Sequence, residues 1–293
     1  MFKFGKVVLI GEPNVGKSSL VNKMVGEDLS IVTNIPGTTR EEIRGIKSHA
    51  DYQIVFLDVP GMQQKRNDLD KFMAKSISTA LQDADIVLYV LDGLDIKPEH
   101  IKKIGNYKNI NKPFIVAVNK IDKTNFAHLY PKLSQLNSLD FVLAIIPISC
   151  KTGFNIDVLE GEIVKNLPTG NPQHEQDDFT TQTTKKMVEE IIRGELMQIL
   201  KAEIPHGIAV KVSKWKEKSK EIEIYADIFC AKPSHKPIII GAKGHVLKDV
   251  GTRSRQQIQD LTGKHIRLFT HVLVREDWKN KKDILTDLGY TNK

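Results

Sequence analysis

The chain has 293 residues, with 43 Lys+Arg against 36 Asp+Glu, 40% hydrophobic residues, 27% charged residues and two cysteines. That balance excludes a wholly disordered or low-complexity chain, and Cys150 and Cys230 alone exclude a disulfide-stapled scaffold or a cysteine-built zinc site. No apolar run approaches the roughly 20 residues of a membrane helix, and the four consecutive aliphatics at 7–10 are too few for a signal-peptide core. The chain therefore reads as soluble and cytosolic. At roughly 100–200 residues per domain, the length predicts two domains.

Taken in order, residues 7–10, 53–57, 86–91, 114–118 and 143–148 are short runs rich in Val, Ile and Leu. They predict buried strands of a mostly parallel sheet. Helical patterns at 18–25, 69–81 and 154–165 lie between them and give a βαβ rhythm. Residues 167–182 are polar and turn-forming, and predict a linker between a domain at 1–166 and another at 183–293. Beyond it, 185–200 carries Met187, Ile191, Ile192, Leu196, Ile199 and Leu200 on one helical stripe. Alternation predicts strands at 208–212 and 221–229, a helix runs from Gly244 to Leu261, and 265–275 closes as a strand; 237–240 fits a short strand or a short helix equally. No internal repeat is visible.

Charge divides the same way. Residues 1–179 hold 21 Lys+Arg and 22 Asp+Glu, whereas 180–293 hold 22 and 14. A basic domain beside a near-neutral one points to a polyanion, either nucleic acid or an anionic membrane surface.

Gly11-Glu12-Pro13-Asn14-Val15-Gly16-Lys17-Ser18 fits G-x-x-x-x-G-K-[ST] between a predicted strand and a predicted helix. The glycines let backbone N–H groups turn onto phosphates, and the helix N-terminus adds partial positive charge. In this reading Lys17 reaches the β/γ-phosphates and the Ser18 hydroxyl ligates Mg²⁺. Asp58-Val59-Pro60-Gly61 ends the strand 53–57, where a carboxylate holds Mg²⁺ through water and a glycine N–H approaches the γ-phosphate. Asn119-Lys120-Ile121-Asp122 follows the strand 114–118. The Asp122 carboxylate can accept two hydrogen bonds from guanine, while adenine offers no donor at either place. The Lys120 stem covers the base. Ser149-Cys150-Lys151 is placed to give a backbone N–H to guanine O6.

Together these motifs resemble the translation-factor-like GTPases, which implies GTP/GDP and Mg²⁺ as ligands. Gly37-Thr38-Thr39-Arg40-Glu41 falls where the first switch belongs, with Thr39 favoured over Thr38 as the hydroxyl that ligates Mg²⁺ only while the γ-phosphate is present. The residue after Gly61 is Met62, where Ras-like proteins carry a water-orienting Gln, so intrinsic turnover is expected to be slow and the catalytic residue is left unassigned. Related GTPases lacking that Gln often carry an asparagine at the Asn14 position, which implies K⁺ beside the phosphates.

In the basic part, Gly241-Ala242-Lys243-Gly244 follows an aliphatic run and opens a helix, resembling the G-x-x-G loop of a KH domain. That loop clamps about four nucleotides of single-stranded nucleic acid. Residues 241–282 hold 10 Lys+Arg against 4 Asp+Glu, and Lys243, Lys248, Arg253 and Arg255 are the candidate phosphate contacts. One or both of Trp215 and Trp278 read as packing or surface residues rather than stacking platforms, and no Cys or acidic cluster makes His245 or His265 a metal ligand.

The whole arrangement resembles the bacterial Era GTPase family. Beyond the motifs, the likeness includes Val188-Glu189-Glu190-Ile191-Ile192-Arg193-Gly194-Glu195-Leu196, the segment 204–210 and Asp287-Leu288-Gly289-Tyr290. The resemblance implies an α/β P-loop GTPase domain followed by an α+β KH domain of type II. It also implies a monomer that binds the 3′ region of 16S rRNA, acts in assembly of the 30S subunit, and associates peripherally with the inner membrane. Two departures touch the switches: Pro36 stands ahead of Gly37 and the threonines where the family often has Gln, and Val59 stands where Thr is usual. Two other readings compete: a basic face docking on anionic lipid, for which no amphipathic basic helix with exposed aromatics is evident, and a tRNA-modifying GTPase, for which no residues remain to build a further catalytic domain.

Overall fold

The structure is a computed structural model that describes residues 1–27, 29, 39–40, 42–62 and 67–290, with residue 126 described by its backbone alone. The candidate switch residues Gly37, Thr38 and Glu41 lie outside the described residues. The chain divides into two compact units: the main part of the first ends at Thr181 and the main part of the second starts at Gln182, with residues up to Phe72 at the start of the helix 68–83 grouped with the second.

In the first unit the order is β1 (Lys3–Ile10), α1 (Lys17–Val25), β2 (Ile43–Ser48), β3 (Tyr52–Asp58), α2 (Asp68–Asp83), β4 (Ile86–Asp92), α3 (Pro98–Gly105), β5 (Phe114–Asn119), α4 (Phe126–Leu136), β6 (Ala144–Pro147) and α5 (Ile156–Asn166). The strands form one sheet in the order β2-β3-β1-β4-β5-β6. All neighbours are parallel except β2 and β3. Alternate residues of each strand serve opposite layers. Val7, Leu9, Ile54, Phe56, Leu88 and Ile115 pack with Leu20, Met24, Leu159 and Ile163 of α1 and α5. Val8, Ile10, Val55, Leu57, Val87 and Val116 pack with Ala80, Ile104, Leu129 and Leu136 of α2, α3 and α4. Burial on both faces is why these strands read as continuous apolar runs rather than alternating ones. The carboxyl ends of the strands open onto one edge, where ligands bind in open α/β sheets.

Residues 167–180 lie along the first unit. The Gln53 side chain, 1% exposed, accepts from the N–H groups of Gln173 and His174 and donates to the His174 carbonyl, all at 2.9–3.0 Å. The Ile46 N–H donates to the Phe179 carbonyl, and Thr180 Oγ1 donates to the Arg44 carbonyl. A polar segment is thus stitched beside β2 and β3, satisfying backbone groups that an edge strand would otherwise present to solvent.

The second unit runs α6 (Thr184–Ile199), β7 (Ile208–Glu217), β8 (Glu221–Cys230), α7 (His235–Ile240), α8 (His245–Thr262), β9 (His265–Val274) and α9 (Lys282–Asp287). The central strand β8 pairs antiparallel with β7 and parallel with β9. Ile222, Ile224, Ala226 and Ile228 of β8 face a core shared with Val188, Ile192 and Leu196 of α6 and Val246, Val250 and Ile258 of α8. The segment Pro237–Ile240 is the end of helix α7. Trp278 is fully buried and donates from Nε1 to the Gly207 carbonyl at 3.0 Å, which makes it a packing residue.

Candidate functional site

The loop between β1 and α1 is shaped by backbone that side chains resist. Gly16 stands at the N-terminus of α1 with φ 101°, and Asn14 has φ 64°. A Cβ on Gly11 would lie 2.4 Å from the Val90 carbonyl oxygen, and one on Gly16 would lie 2.2 Å from Asn119 Nδ2. The loop can therefore hug β4 and β5 only with glycine at both places. Lys17 is buried, its ammonium donating to the carbonyls of Gly11 at 3.2 Å and Glu12 at 3.0 Å. Burial pushes its pKa down to about 8, against the pull of nearby Asp58 and Glu12. The Glu12 carboxylate turns away to α3, pairing with Lys103 and lying 3.5 Å from His100 Nε2. Val15 is buried under the loop, and Pro13 meets the second motif: a Cβ on Gly61 would come within 2.9 Å of Pro13 Cα.

Three oxygen-bearing side chains from separate segments converge at the start of α1. Ser18 Oγ donates to Asp58 Oδ2 at 2.7 Å and lies 3.0 Å from Thr39 Oγ1. Asp58 is fully buried, followed by buried Val59 and Pro60; Thr39 and Arg40 are also buried. Hydroxyl and carboxylate oxygens in this arrangement are the hard donors that suit Mg²⁺. Among the described residues, no group of three His, Cys, Asp or Glu offers an alternative metal site. The Met62 N–H donates to the Gly11 carbonyl, while its Sδ accepts from the Tyr107 hydroxyl at 3.3 Å within the α2–α4 layer. The side chain at the expected water-orienting position is thus half-buried and packed against the core.

The candidate base-selecting residues follow β5 and β6. Asn119 is 2% exposed; its Nδ2 donates to the Val15 carbonyl at 2.9 Å, and its Oδ1 accepts from the Cys150 N–H at 3.1 Å. It joins three loops, and it occupies the Cys150 N–H, one of the backbone donors in the segment 149–151 that the sequence offered to guanine O6. Ser149, fully buried, donates from Oγ to Asp122 Oδ1 at 2.7 Å and so orients an exposed carboxylate. Lys151 is exposed, and burial pushes the Cys150 thiol up to about 12, far from a reactive thiolate. Lys120 adopts φ 65° and donates to the Asn14 carbonyl at 2.5 Å and to Asp92 Oδ2 at 2.7 Å. Asp92 escaped the sequence reading, although an aspartate closing an otherwise apolar strand beside this edge is a usable signal.

In the second unit, Gly241 (φ 76°), Lys243 (φ 51°) and Gly244 (φ 78°) all take the left-handed region. A Cβ on Gly241 would lie 2.6 Å from Val246 Cγ2, whereas one on Gly244 would meet nothing within 4 Å. Gly241 is therefore required by packing, while Gly244 leaves an open backbone at the start of α8. Ala242 and Lys243 are exposed, and Ile238 beside them leaves an apolar side chain half in solvent. Lys248 and Arg255 are exposed and seven residues apart on α8, on the same face as Thr252, whose hydroxyl donates to the Lys248 carbonyl and accepts from the Arg255 guanidinium. Arg253 instead turns toward α6, 3.9 Å from Glu195 Oε2, whose other oxygen accepts from Gln257 at 2.6 Å.

Fold and site define a P-loop GTPase unit joined to a KH-type unit. Family models agree: "50S ribosome-binding GTPase" matches residues 6–120 and "KH domain" matches 203–279. GTPase Era of Alkaliphilus metalliredigens is 41% identical over 292 residues, 99% of either chain. GTPase Era of Clostridium acetobutylicum is 37% identical over 291 residues, 99% of this chain and 98% of that one. Among solved structures, Era in complex with MgGDPNP and nucleotides 1506–1542 of 16S ribosomal RNA superposes with a TM-score of 0.94 at 33% identity, covering all of both chains. An Aquifex aeolicus Era variant bound to GDP·AlF4⁻ superposes with a TM-score of 0.94 at 32% identity, over 99% of this chain and all of that one. The chain belongs to the Era GTPase family, and is a GTP-hydrolysing enzyme with a KH domain.

Proposed function

We propose that this protein is a GTP-controlled RNA-binding factor that grips the 3′ region of 16S rRNA through its KH unit and acts in assembly of the 30S subunit. The observation that carries the reading is that one chain holds both an intact guanine-nucleotide edge and an open G-x-x-G loop with exposed Lys243, Lys248 and Arg255. A related Era crystallised with MgGDPNP and a 16S rRNA fragment supports it.

Residues 11–18 cradle the phosphates, with Lys17 placed at the β/γ end. Asp122 reads guanine and Asn119 holds its loop against Val15. Ser18, Thr39 and Asp58 hold Mg²⁺, which neutralises charge on the phosphates when bound. Asn14 would help hold K⁺ beside them. Because Thr39 belongs to the switch segment, nucleotide state biases that segment only by the difference in affinity between its two arrangements.

The test is binding to a short strand copying the 3′ end of small-subunit rRNA against a scrambled strand, at fixed salt, with GDP or a non-hydrolysable GTP analogue. Sequence-selective binding that favours the GTP state is expected. Equal, salt-sensitive binding to both strands would reduce the KH unit to a generic basic surface.

A further inference from the structure

We infer that Asp92 is a positioning residue for nucleotide binding: it fixes the Lys120 ammonium so that one cation ties the base-selecting loop to the phosphate loop. The inference rests on the nucleotide reading of Lys120 given above.

Asp92 closes β4 and is in register with Asn119 at the end of β5. Its two carboxylate oxygens have separate tasks. Oδ1 accepts from the N–H of Leu94 at 3.0 Å, anchoring the side chain within its own turn, which the Gly93 N–H ties to the Asn119 carbonyl at 2.7 Å. Oδ2 accepts from Lys120 Nζ at 2.7 Å. The carboxylate is therefore held before the lysine arrives.

Lys120 needs such a holder. Its left-handed backbone sends the side chain back across the strand ends, where Nζ also donates to the carbonyl of Asn14. Asn14 is itself left-handed, at the crown of the phosphate loop. Both members of the ion pair are about a quarter exposed, at 21% and 28%. An unanchored lysine there would sample many rotamers, and ordering it on nucleotide binding would cost affinity. Asp92 removes that cost in advance.

The experiment is a double-mutant cycle in the full chain, read as the Kd of a fluorescent GDP. Asp92→Asn keeps an Oδ1 acceptor for the Leu94 N–H and replaces the charged acceptor facing Lys120 with a neutral amide NH2. Lys120→Met keeps the stem and removes the ammonium. For a partly exposed pair with a second hydrogen bond, Asp92→Asn is expected to weaken GDP about five-fold. The double variant should be no weaker than Lys120→Met alone, because Asp92 acts only through the ammonium. A merely structural aspartate would give losses that multiply. Multiplying losses, or an unchanged Kd in Asp92→Asn while Lys120→Met weakens binding, would overturn the inference and leave the nucleotide site standing. An unchanged Kd in Lys120→Met would overturn the role of Lys120 itself. A matching thermal midpoint for Asp92→Asn and the parent chain assigns a changed Kd to positioning rather than to misfolding.

Discussion

Gly16→Ala probes how firmly the phosphate loop is keyed to the base-selecting loop. The new Cβ would stand 2.2 Å from Asn119 Nδ2 in a backbone with φ 101°. Left-handed backbone costs an alanine about 1–2 kcal/mol. Asn119 must then retreat by more than an ångström, breaking a buried bond to the Val15 carbonyl and loosening the one from the Cys150 N–H. Buried groups left unsatisfied cost about 1–3 kcal/mol each, so the total is roughly 3–6 kcal/mol, or roughly 6–24 °C in thermal midpoint for a unit of this size. Gly26→Ala supplies the control: its φ is 91°, yet nothing lies within 4 Å of its Cβ. It should lose only the backbone share, about 1–2 kcal/mol. Thermal unfolding of nucleotide-free protein, with GDP titration of each variant, makes the comparison. Equal destabilisation by the two substitutions would refute the argument, because the contact with Asn119 would then carry no energy.

Two further outcomes follow from the same geometry. Gly244→Asp should leave GDP affinity intact and reduce binding to the rRNA-like strand at least ten-fold, since the residue has open space and a φ of 78° that aspartate tolerates, while the charge repels phosphate; loss of both activities would undo the separation into two modules. Asp122→Asn should weaken GTP by about two orders of magnitude, from one lost charge-assisted hydrogen bond and one donor facing a donor, and improve XTP. Ser149 Oγ can still donate to the remaining oxygen, so an unchanged preference for GTP in competition binding would refute the assignment of Asp122 as the guanine reader.

Much of the molecule was legible in the chain alone. Strands buried on both faces announce themselves as apolar runs, and β3, β4 and β5 were visible for that reason. Other elements were hidden: β2 mixes Arg44, Gly45 and Lys47 into a sheet edge, and α3 and α4 are short with Pro98 and Pro131 within them. Periodicity left 237–240 undecided because three isoleucines after a proline satisfy a helix and a strand alike.

The local chemistry of each motif is a property of sequence, because phosphate-cradling glycines, a lysine and a hydroxyl need only a few adjacent residues. Which motifs touch was decided by tertiary structure. The contacts of Asn119 with Val15, Asp92 with Lys120 and Gln53 with His174 span 104, 28 and 121 residues, and no short-range pattern encodes such a distance. The same holds for α8, where the sequence offered Lys248, Arg253 and Arg255 as equals. All three side chains stay exposed, but packing of α8 on α6 brings Arg253 alone of the three to 3.9 Å from the Glu195 carboxylate, a neighbour that helical spacing on α8 could not reveal.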